Sequence, residues 1–363
     1  MPRAPSSLRS PSPRVTALAR VAGQLASGEQ PEHPVLDAPG WWRRPERLIL
    51  GVVCGSDASP VQSINTKLQR SAARPVLITG KTGTLGQAYA RACDLRGIPY
   101  RLLRRDELDI ADVEAVEAAL RRYDPWAVVN TAGYVRVDDA ETDHARCMRE
   151  NADGPATLAE YCSRGGIQLL TISSDLVFDG AAGRPYVETD PVAPLNVYGE
   201  SKAEAERRVL QTFPQALVVR TSAFFGPWDE YNFVVRTLRS FASGGGVRAA
   251  ADTVSPTYVP DLVSASLDLL IDEECGIWHL ANTGAISWAG LAKEVAARAG
   301  YDPRLVRAEP GRKLGWIARR PHYSVLSSER AWLMPTLESA LDRYMRDCTI
   351  DWRSSELTAE VVV

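Results

Sequence analysis

A tyrosine and a lysine four residues apart are the side chains of this sequence best suited to acid–base chemistry. The stretch Tyr198-Gly-Glu-Ser-Lys202 is predicted to open a helix, so that both side chains project from one face. A tyrosine on its own titrates at about 10 and is a poor acid or base at neutral pH. Because a neighbouring ammonium group favours the phenolate, we expect Lys202 to lower the pKa of Tyr198 toward the working range.

A serine earlier in the chain supplies a third group. Ser173-Ser174-Asp175 ends a predicted strand, and the carboxyl ends of an open parallel sheet face the ligand crevice. The Ser174 hydroxyl is expected there to hold an oxygen on which charge develops. A Tyr-x-x-x-Lys pair alone is also typical of an exposed helix. Combined with the serine and the glycine-rich turn described next, it indicates hydride transfer at a carbonyl or alcohol carbon.

A glycine-rich turn indicates where a dinucleotide would bind. The segment 80–86, GKTGTLG, has the spacing GxxGxxG and lies between the buried run Pro75–Gly80 and a predicted helix. Glycines at these points permit a tight turn, close approach of the backbone to a pyrophosphate and close helix–strand packing, while the helix N-terminus favours negative charge. A P-loop would need glycine where Pro75 stands, so nucleotide hydrolysis is excluded.

Two arginines follow the second predicted strand. An acidic residue at this place would hold the ribose 2′-hydroxyl of NAD, whereas Arg104 and Arg105 suit the 2′-phosphate of NADP. The alternative interpretation is a solvated basic loop. We therefore expect NADPH as the cofactor, and NADH stays open.

The elements that must position these residues alternate between strand and helix from Pro75 onward. This pattern predicts an α/β fold with a Rossmann-type doubly wound parallel sheet and a smaller C-terminal substrate-binding α/β part. The predicted strands are 75–80, 98–103, 126–131, 167–173 and 216–221. The predicted helices are 84–96, 111–123, 143–164, 195–212, 232–243, 263–271, 288–299 and 337–346.

The organisation along the chain predicts four segments. They are a flexible Pro/Arg-rich N-terminal segment (1–74), an NAD(P)-binding Rossmann domain (75–221), a mainly substrate-binding part (222–351) and a C-terminal tail (352–363). The first segment carries nine prolines, and ten Lys and Arg residues against five Asp and Glu. Such a composition cannot bury much surface, and we interpret this segment as a tether to another module.

Composition argues against several classes of function. The chain has 363 residues, 45% hydrophobic and 24% charged, which is ordinary for a globular protein. The net charge of −3 argues against nucleic acid or a membrane surface as a partner. No apolar run approaches the roughly 18 residues of a membrane span. The six cysteines lie far apart without metal-ligand spacing, which favours reduced thiols and a cytoplasmic location over a disulfide framework or a zinc site.

From about Pro75 to Asp351, roughly three quarters of the chain, the sequence resembles the dTDP-4-dehydrorhamnose reductases, a family of extended short-chain dehydrogenases/reductases. The stretches that carry the resemblance are ITGKTGTLG (78–86), LDIAD (108–112), NTAGYVRVDDAE (130–141), SSDLVFDG (173–180), PVAPLNVYGESKAEAE (191–206), VVRTS (218–222), SPTYVPDL (255–262) and RPHYSVLSSER (320–330).

The resemblance implies a role for individual residues. Ser174, Tyr198 and Lys202 would be catalytic, with Tyr198 as the proton donor and Lys202 tuning it and binding the nicotinamide ribose. The substrate would contact Tyr134, Ser174, Asp175, Asn232 and Thr257. The cofactor would contact Gly80, Thr82, Gly83, Thr84, Leu85, Gly86, Arg104, Arg105, Asp109, Ile110, Asn130, Ala132, Gly133, Tyr198 and Lys202.

The resemblance also implies a reaction, the NADPH-dependent reduction of a nucleotide-linked 4-keto sugar, with dTDP-4-dehydro-β-L-rhamnose as the expected substrate. The family typically has a tryptophan after RTS that packs on the sugar, whereas Ala223 follows Ser222 here. Either an aromatic residue among Phe224, Phe225 and Trp228 fills that space, or the pocket accepts another sugar.

Two alternatives therefore stay open. One is a non-catalytic NADP-binding regulatory subunit, and the other is a reductase or epimerase that acts on a different nucleotide sugar. The family often binds Mg²⁺ at a dimer contact, so Mg²⁺ and a homodimer are further expectations, for which the sequence identifies no ligands.

Overall fold

Six parallel strands form the central sheet of the protein. A computed structural model describes residues 74–331, 333–353 and 361–362 of the chain. The predicted N-terminal segment lies outside the described residues except for Arg74, as does most of the predicted tail. The sheet has the order β2-β1-β3-β4-β5-β10. Its strands are β1 (Val76–Thr79), β2 (Tyr100–Leu103), β3 (Ala127–Asn130), β4 (Gln168–Ser174), β5 (Leu217–Thr221) and β10 (Gly276–His279).

These strands form because their apolar, largely β-branched runs are buried on both faces of the sheet. Strands β1, β3 and β5 are buried along their whole length. Successive residues of β1 serve opposite layers: Val76 and Ile78 pack in a core with helix α1 (Thr84–Arg96), while Leu77 packs in a core with helix α4 (Gly154–Gly165). The predicted doubly wound parallel sheet is confirmed, and its topological switch point lies between β1 and β3.

The helices mostly follow the prediction, with two instructive differences. The predicted helix 143–164 is divided: a π-helical turn, Arg149–Asp153, separates α3 (His144–Met148) from α4. Pro155, near the start of α4, has no N–H to donate to the preceding turn, which favours such an irregularity. The described helices are α1, α2 (Val113–Tyr123), α3 (His144–Met148), α4, α5 (Val197–Thr212), α6 (Phe233–Ala242), α7 (Val259–Ile271), α8 (Trp288–Ala299) and α9 (Leu337–Asp347).

The second difference concerns α7, which begins four residues earlier than the predicted start at 263. Pro260 lies in its first turn, where a missing N–H costs no hydrogen bond and the fixed φ of proline suits a helix. The predicted start lies after this proline, whereas in the structure the proline is part of the first helical turn.

The chain beyond residue 221 contributes to two cores. Its β10 pairs with β5, and α7 packs against the same face of the central sheet as α1. A second core gathers residues of α6, α8 and α9, for example Leu238, Val295 and Leu341. Short strands surround it: β7 (Val247–Ala250) pairs with β12 (Val306–Glu309) and β13 (Val361–Val362), β6 (Phe224–Phe225) with β9 (Thr257–Tyr258), and β8 (Thr253–Val254) with β11 (Ile286–Ser287).

A buried ion pair fastens helix α5 to the central sheet. Arg220 of β5 is 2% exposed and makes two hydrogen bonds to Glu206 of α5, of 2.8 and 2.6 Å. Ser173 of β4 donates a third hydrogen bond to the same carboxylate. A buried charge of this kind is tolerated only with such partners. The pair therefore fixes α5, which carries Tyr198 and Lys202, against β4 and β5.

Within the residues that the structure describes, none of the helices has the length and hydropathy that crossing a membrane requires.

Candidate active site

The structure brings the three predicted catalytic residues together at the carboxyl end of β4. Ser174 is the last residue of β4, and Tyr198 and Lys202 lie in the first turns of α5. The Tyr198 hydroxyl is within hydrogen-bonding reach of Ser174. The Lys202 ammonium lies 5.7 Å from the centre of the Tyr198 ring and donates to the carbonyl oxygen of Ile172 at 3.2 Å.

The N-terminus of α5 is held very close to the segment that follows β4. Asn196 caps the helix by accepting a hydrogen bond from the Gly199 N–H at 2.7 Å. A Cβ atom on Gly199 would lie only 2.2 Å from the carbonyl oxygen of Leu176. Glycine is therefore the residue that lets the backbone approach closely enough for Tyr198 to reach Ser174.

Burial shifts the pKa values of the two α5 residues in opposite directions. Desolvation, followed by the nearby Asp175 and Cys147, raises the pKa of Tyr198 well above its usual value. Desolvation lowers the pKa of Lys202 to about 8. The predicted lowering of the Tyr198 pKa by Lys202 does not appear in this arrangement, because desolvation dominates the shift and raises the pKa. A tyrosine that keeps its proton at neutral pH is suited to donate one.

The glycine-rich turn has the geometry of an anion cradle. Gly80 adopts a φ of +84°, and a Cβ atom on it would lie 2.6 Å from Thr131 Oγ1. A Cβ atom on Gly86 would lie 2.2 Å from the Gly80 carbonyl oxygen. Gly83 precedes α1, and no side chain caps that helix. The first N–H groups of α1 therefore have no side-chain acceptor, which fits the binding of a pyrophosphate.

The remaining predicted residues of this turn differ in exposure. Thr82 is exposed, Thr84 begins α1 and is half-buried, and Leu85 packs in the core. The side chain of Leu85 is thus committed to the core, so only its backbone is available to a cofactor.

Side-chain hydrogen bonds between β1, β3 and β4 hold the loop after β3 in place. Asn130 accepts from the Thr79 hydroxyl at 2.8 Å, donates to Thr171 at 3.1 Å and accepts from the Ala132 N–H at 3.2 Å. The predicted cofactor residue Asn130 is therefore buried beneath the loop and shapes it. Ala132 and Gly133 follow it, and Gly133 lies beside Lys202: a Cβ atom there would be 3.7 Å from Nζ.

Sequence reasoning missed Asn151, which lies in the π-helical turn. Its side chain accepts from the Tyr134 N–H at 2.8 Å and donates to the Tyr134 carbonyl and to Ser201 Oγ, both at 3.0 Å. It thereby links the loop after β3 to α5. The available signal was an asparagine four residues before Pro155, in an otherwise regular helical pattern.

Tyr134, a predicted substrate residue, packs in a small cluster with Tyr198, Val197 and Cys147. Its side chain is buried, and the hydroxyl group has no hydrogen-bond partner in the described part of the chain. A buried hydroxyl without a partner is costly, so this group is available to a ligand that reaches the cluster.

The two arginines after β2 have different surroundings. Arg105 forms an ion pair with Glu150 at 2.7 Å and approaches Asp109 at 3.6 Å. Arg104 is more than half exposed, and Asp106 approaches its side chain at 3.6 Å. Asp109 itself is paired with Arg149 at 3.0 Å.

Ile110, predicted to contact the cofactor, is buried against α4. Its side chain lies where a Cβ atom on Gly154 would be, within 2.6 Å. It therefore serves the packing of the strand–helix layer.

Three predicted substrate contacts have their polar atoms engaged within the fold. The Asp175 carboxylate is buried and accepts hydrogen bonds from three serines rather than standing open. Asn232 caps α6 and donates to the carbonyl oxygens of Gly226 and Asp229, so its polar atoms are used within the fold. Thr257 is fully buried in β9.

The three aromatic residues near Ala223 all pack against hydrophobic cores. Phe225 is buried in the second core beside Tyr258. Phe224 and Trp228 pack against the core of the central sheet, and Trp228 lies under Arg91 at 4.7 Å. Ala223 itself adopts a φ of +36°, a left-handed conformation that is uncommon for alanine.

The described residues include no group of three or more His, Cys, Asp or Glu side chains placed to hold a metal ion. The expectation of Mg²⁺ is thus not supported by any ligand set in this part of the chain.

Comparison with known proteins identifies the family. The family model described as "RmlD substrate binding domain" matches residues 74–347. The chain belongs to this family. The dTDP-4-dehydrorhamnose reductase of Streptomyces griseus is 38% identical to it over 269 residues, which are 72% of this chain and 88% of that protein. The expected resemblance to dTDP-4-dehydrorhamnose reductases is confirmed, and the chain is an oxidoreductase of this family.

Two further proteins similar to this chain are informative, one for the cofactor and one for the substrate. The crystal structure of dTDP-4-dehydrorhamnose reductase from Bacillus anthracis in complex with NADP has a TM-score of 0.72 and 28% identity, and the match covers 76% of this chain and 99% of that one. A probable dTDP-4,6-dihydroxy-2-methyloxan-3-one 4-ketoreductase of Streptomyces antibioticus is 38% identical over 259 residues, covering 70% of this chain and 87% of that protein.

The close approach at Gly199 makes a prediction about stability. We expect Gly199→Ala to lower the free energy of unfolding by about 1–3 kcal/mol, because the new methyl group overlaps a backbone carbonyl that cannot move aside. Urea denaturation followed by circular dichroism measures this change.

Gly165→Ala is the matched control. A Cβ atom there would meet only the flexible Ile167 side chain, at 3.0 Å. Its stability should stay unchanged or rise by up to about 1 kcal/mol, the helix propensity gained. Equal losses in the two variants would show that the approach of α5 to Leu176 is not a tight constraint.

Proposed function

We propose that the protein reduces the C4 carbonyl of dTDP-4-dehydro-β-L-rhamnose with NADPH, which yields dTDP-L-rhamnose. The observation that carries this proposal is the cluster of Ser174, Tyr198 and Lys202 at the carboxyl end of β4, in the same sheet edge as the glycine-rich turn. The names of the relatives support it, since the Streptomyces griseus protein is a dTDP-4-dehydrorhamnose reductase. The NADP complex of the Bacillus anthracis protein supports the cofactor.

The residues of the glycine-rich turn and of the loop after β3 would hold the dinucleotide. The turn offers uncapped N–H groups to the pyrophosphate, and Gly133 lies beside Lys202, which would bind the nicotinamide ribose. The reduced nicotinamide, when bound, supplies the hydride that reaches the C4 carbon of the sugar.

The side chains of the protein would manage the proton and the developing charge. Tyr198, which burial keeps protonated, would donate its proton to the carbonyl oxygen while Ser174 orients that oxygen. The Lys202 ammonium would stabilise the phenolate that remains. With a pKa of about 8, Lys202 carries this charge at neutral pH and loses it as the pH rises above that value.

Both arginines are more than half exposed, and Arg104 is the better candidate for the 2′-phosphate of NADPH. Arg105 pairs with Glu150 and Asp109, whereas the ion pair that Arg104 forms within the described residues is the looser contact with Asp106. A guanidinium that is not already committed to carboxylates can bind a phosphate without breaking an ion pair.

A different dTDP-linked 4-keto sugar is the second candidate substrate. It is favoured by Ala223, beside which Phe224, Phe225 and Trp228 are all committed to hydrophobic cores. The relative from Streptomyces antibioticus, with a similar identity, is named for the reduction of another dTDP-linked ketone. Assays with both sugars decide between the two candidates.

Tyr198→Phe tests the proposed chemistry. We expect kcat for NADPH oxidation with the 4-keto sugar to fall by about 10²–10⁴-fold, because the variant lacks the proton donor. The Kd for NADPH should change by less than about twofold, since the phenyl ring keeps the packing of the site.

The control for this variant is Tyr161→Phe, which removes a hydroxyl from the partly buried Tyr161 of α4. Its turnover should equal that of the wild type. A Tyr198→Phe enzyme with wild-type turnover would refute the assignment of Tyr198 as the donor.

Arg104→Gln tests the cofactor preference. We expect the ratio of kcat/KM for NADPH to that for NADH to fall by about 10–100-fold, which is the loss of one charge-assisted hydrogen bond. Arg105→Gln is the matched comparison and should change this ratio less, because its charge already serves Glu150. The opposite order of effects would assign the phosphate to Arg105.

A further inference from the structure

A buried carboxyl group lies directly behind the Ser174 hydroxyl. Asp175 is 5% exposed, and three serine hydroxyls surround its carboxyl oxygens. Ser174 Oγ lies 3.1 Å from Oδ1, Ser222 Oγ lies 2.8 Å from Oδ2, and Ser324 Oγ lies 2.5 Å from Oδ2. Among the ion pairs of the described ranges, none includes Asp175, whose side-chain partners are hydroxyl groups. A carboxylate would therefore be buried here without a cation.

The surroundings of Asp175 disfavour its charged form. Burial raises its pKa, although the hydroxyls of Ser324, Ser222 and Ser174 oppose the shift. Tyr198 on α5 is the titratable group that interacts with Asp175, and Lys202 on α5 and Cys147 on α3 lie next to Tyr198 in turn. Tyr198 is close enough for the charge of an ionised Asp175 to raise its pKa.

The hydrogen bonds to the two carboxyl oxygens of Asp175 determine which of them would carry a proton. Oδ2 accepts from both Ser222 and Ser324, so its two lone pairs are used. A proton on the carboxyl group therefore belongs to Oδ1, the oxygen that faces Ser174.

The Ser174 hydroxyl has one of two hydrogen-bond arrangements, depending on whether Asp175 carries a proton. Its Oγ already accepts a hydrogen bond from the Leu176 N–H at 3.1 Å. If Asp175 is ionised, the Ser174 proton points to Oδ1, and Ser174 can only accept from Tyr198 or a ligand. If Asp175 is protonated, Oδ1 donates to Oγ, both lone pairs of Oγ are filled, and the Ser174 proton is free.

We propose that Asp175 is a positioning residue that holds its proton at neutral pH and thereby makes Ser174 a hydrogen-bond donor to the carbonyl oxygen of the substrate. This inference rests on the proposed function. It gives the reacting oxygen two donors, Ser174 and Tyr198, at the point where negative charge develops. Asp175 itself touches neither substrate nor cofactor and acts through Ser174.

The protonation state can be tested without the reaction. Infrared difference spectroscopy of the full chain at neutral pH compares the wild type with Asp175→Asn. We expect a C=O stretching band of a buried carboxylic acid in the wild type that the substitution removes. Loss of a carboxylate band instead would overturn the proposal, whatever the substrate of the enzyme is.

The action through Ser174 is tested by kinetics. Asp175→Asn keeps one oxygen toward Ser222 and Ser324 and offers an N–H donor toward Ser174, so we expect kcat with the keto sugar to stay within about threefold of the wild type. Asp175→Ala should lower kcat by about 10–100-fold, close to the effect of Ser174→Ala, with the KM for NADPH unchanged.

The double variant Ser174→Ala/Asp175→Ala separates positioning from a structural role. It should be no slower than Ser174→Ala alone, because Asp175 acts through Ser174. Losses that multiply, or an Asp175→Asn enzyme as slow as Asp175→Ala while both unfold at the wild-type temperature, would overturn the proposal. A wild type that oxidises no NADPH would contradict the proposed function instead, and the infrared result would still decide the state of Asp175.

Discussion

The close contact between helix α5 and the end of strand β4 is the constraint on which the rest of the site depends. There is no room for a Cβ atom between residue 199 and the Leu176 carbonyl, so the backbones meet directly. The Asn196 cap holds the start of α5, and the buried Glu206–Arg220 pair holds the middle of the helix against β5. With α5 fixed in this way, Tyr198 and Lys202 have one position relative to Ser174, and a proton can be passed over a short distance.

Burial of this cluster then determines which groups carry protons. In water a lysine beside a tyrosine would favour the phenolate, but desolvation in the structure keeps Tyr198 protonated and brings the pKa of Lys202 to about 8. A protonated tyrosine suits reduction, in which an oxygen gains a proton. The same desolvation acts on Asp175, whose hydrogen-bond partners are hydroxyls rather than cations.

The sequence could predict the elements and the residues whose patterns are local. Runs such as 76–79 and 127–130 are apolar and β-branched, so the buried strands and the parallel sheet that they form were predictable. Contacts between distant segments were not: Ser222 and Ser324 reach Asp175 across 47 and 149 residues. The ion pairs of Arg105 also depend on tertiary packing, which neither spacing nor resemblance reveals.

The most direct test of the central claim follows the hydride itself. NADPH carrying deuterium at the transferable position of the nicotinamide C4 is mixed with the enzyme and freshly generated dTDP-4-dehydro-β-L-rhamnose, and the product is analysed by mass spectrometry and NMR. The account predicts a dTDP-sugar that is one mass unit heavier than the unlabelled product, with the deuterium on C4. NADPH that binds without being oxidised, or deuterium at any other carbon of the sugar, would contradict it.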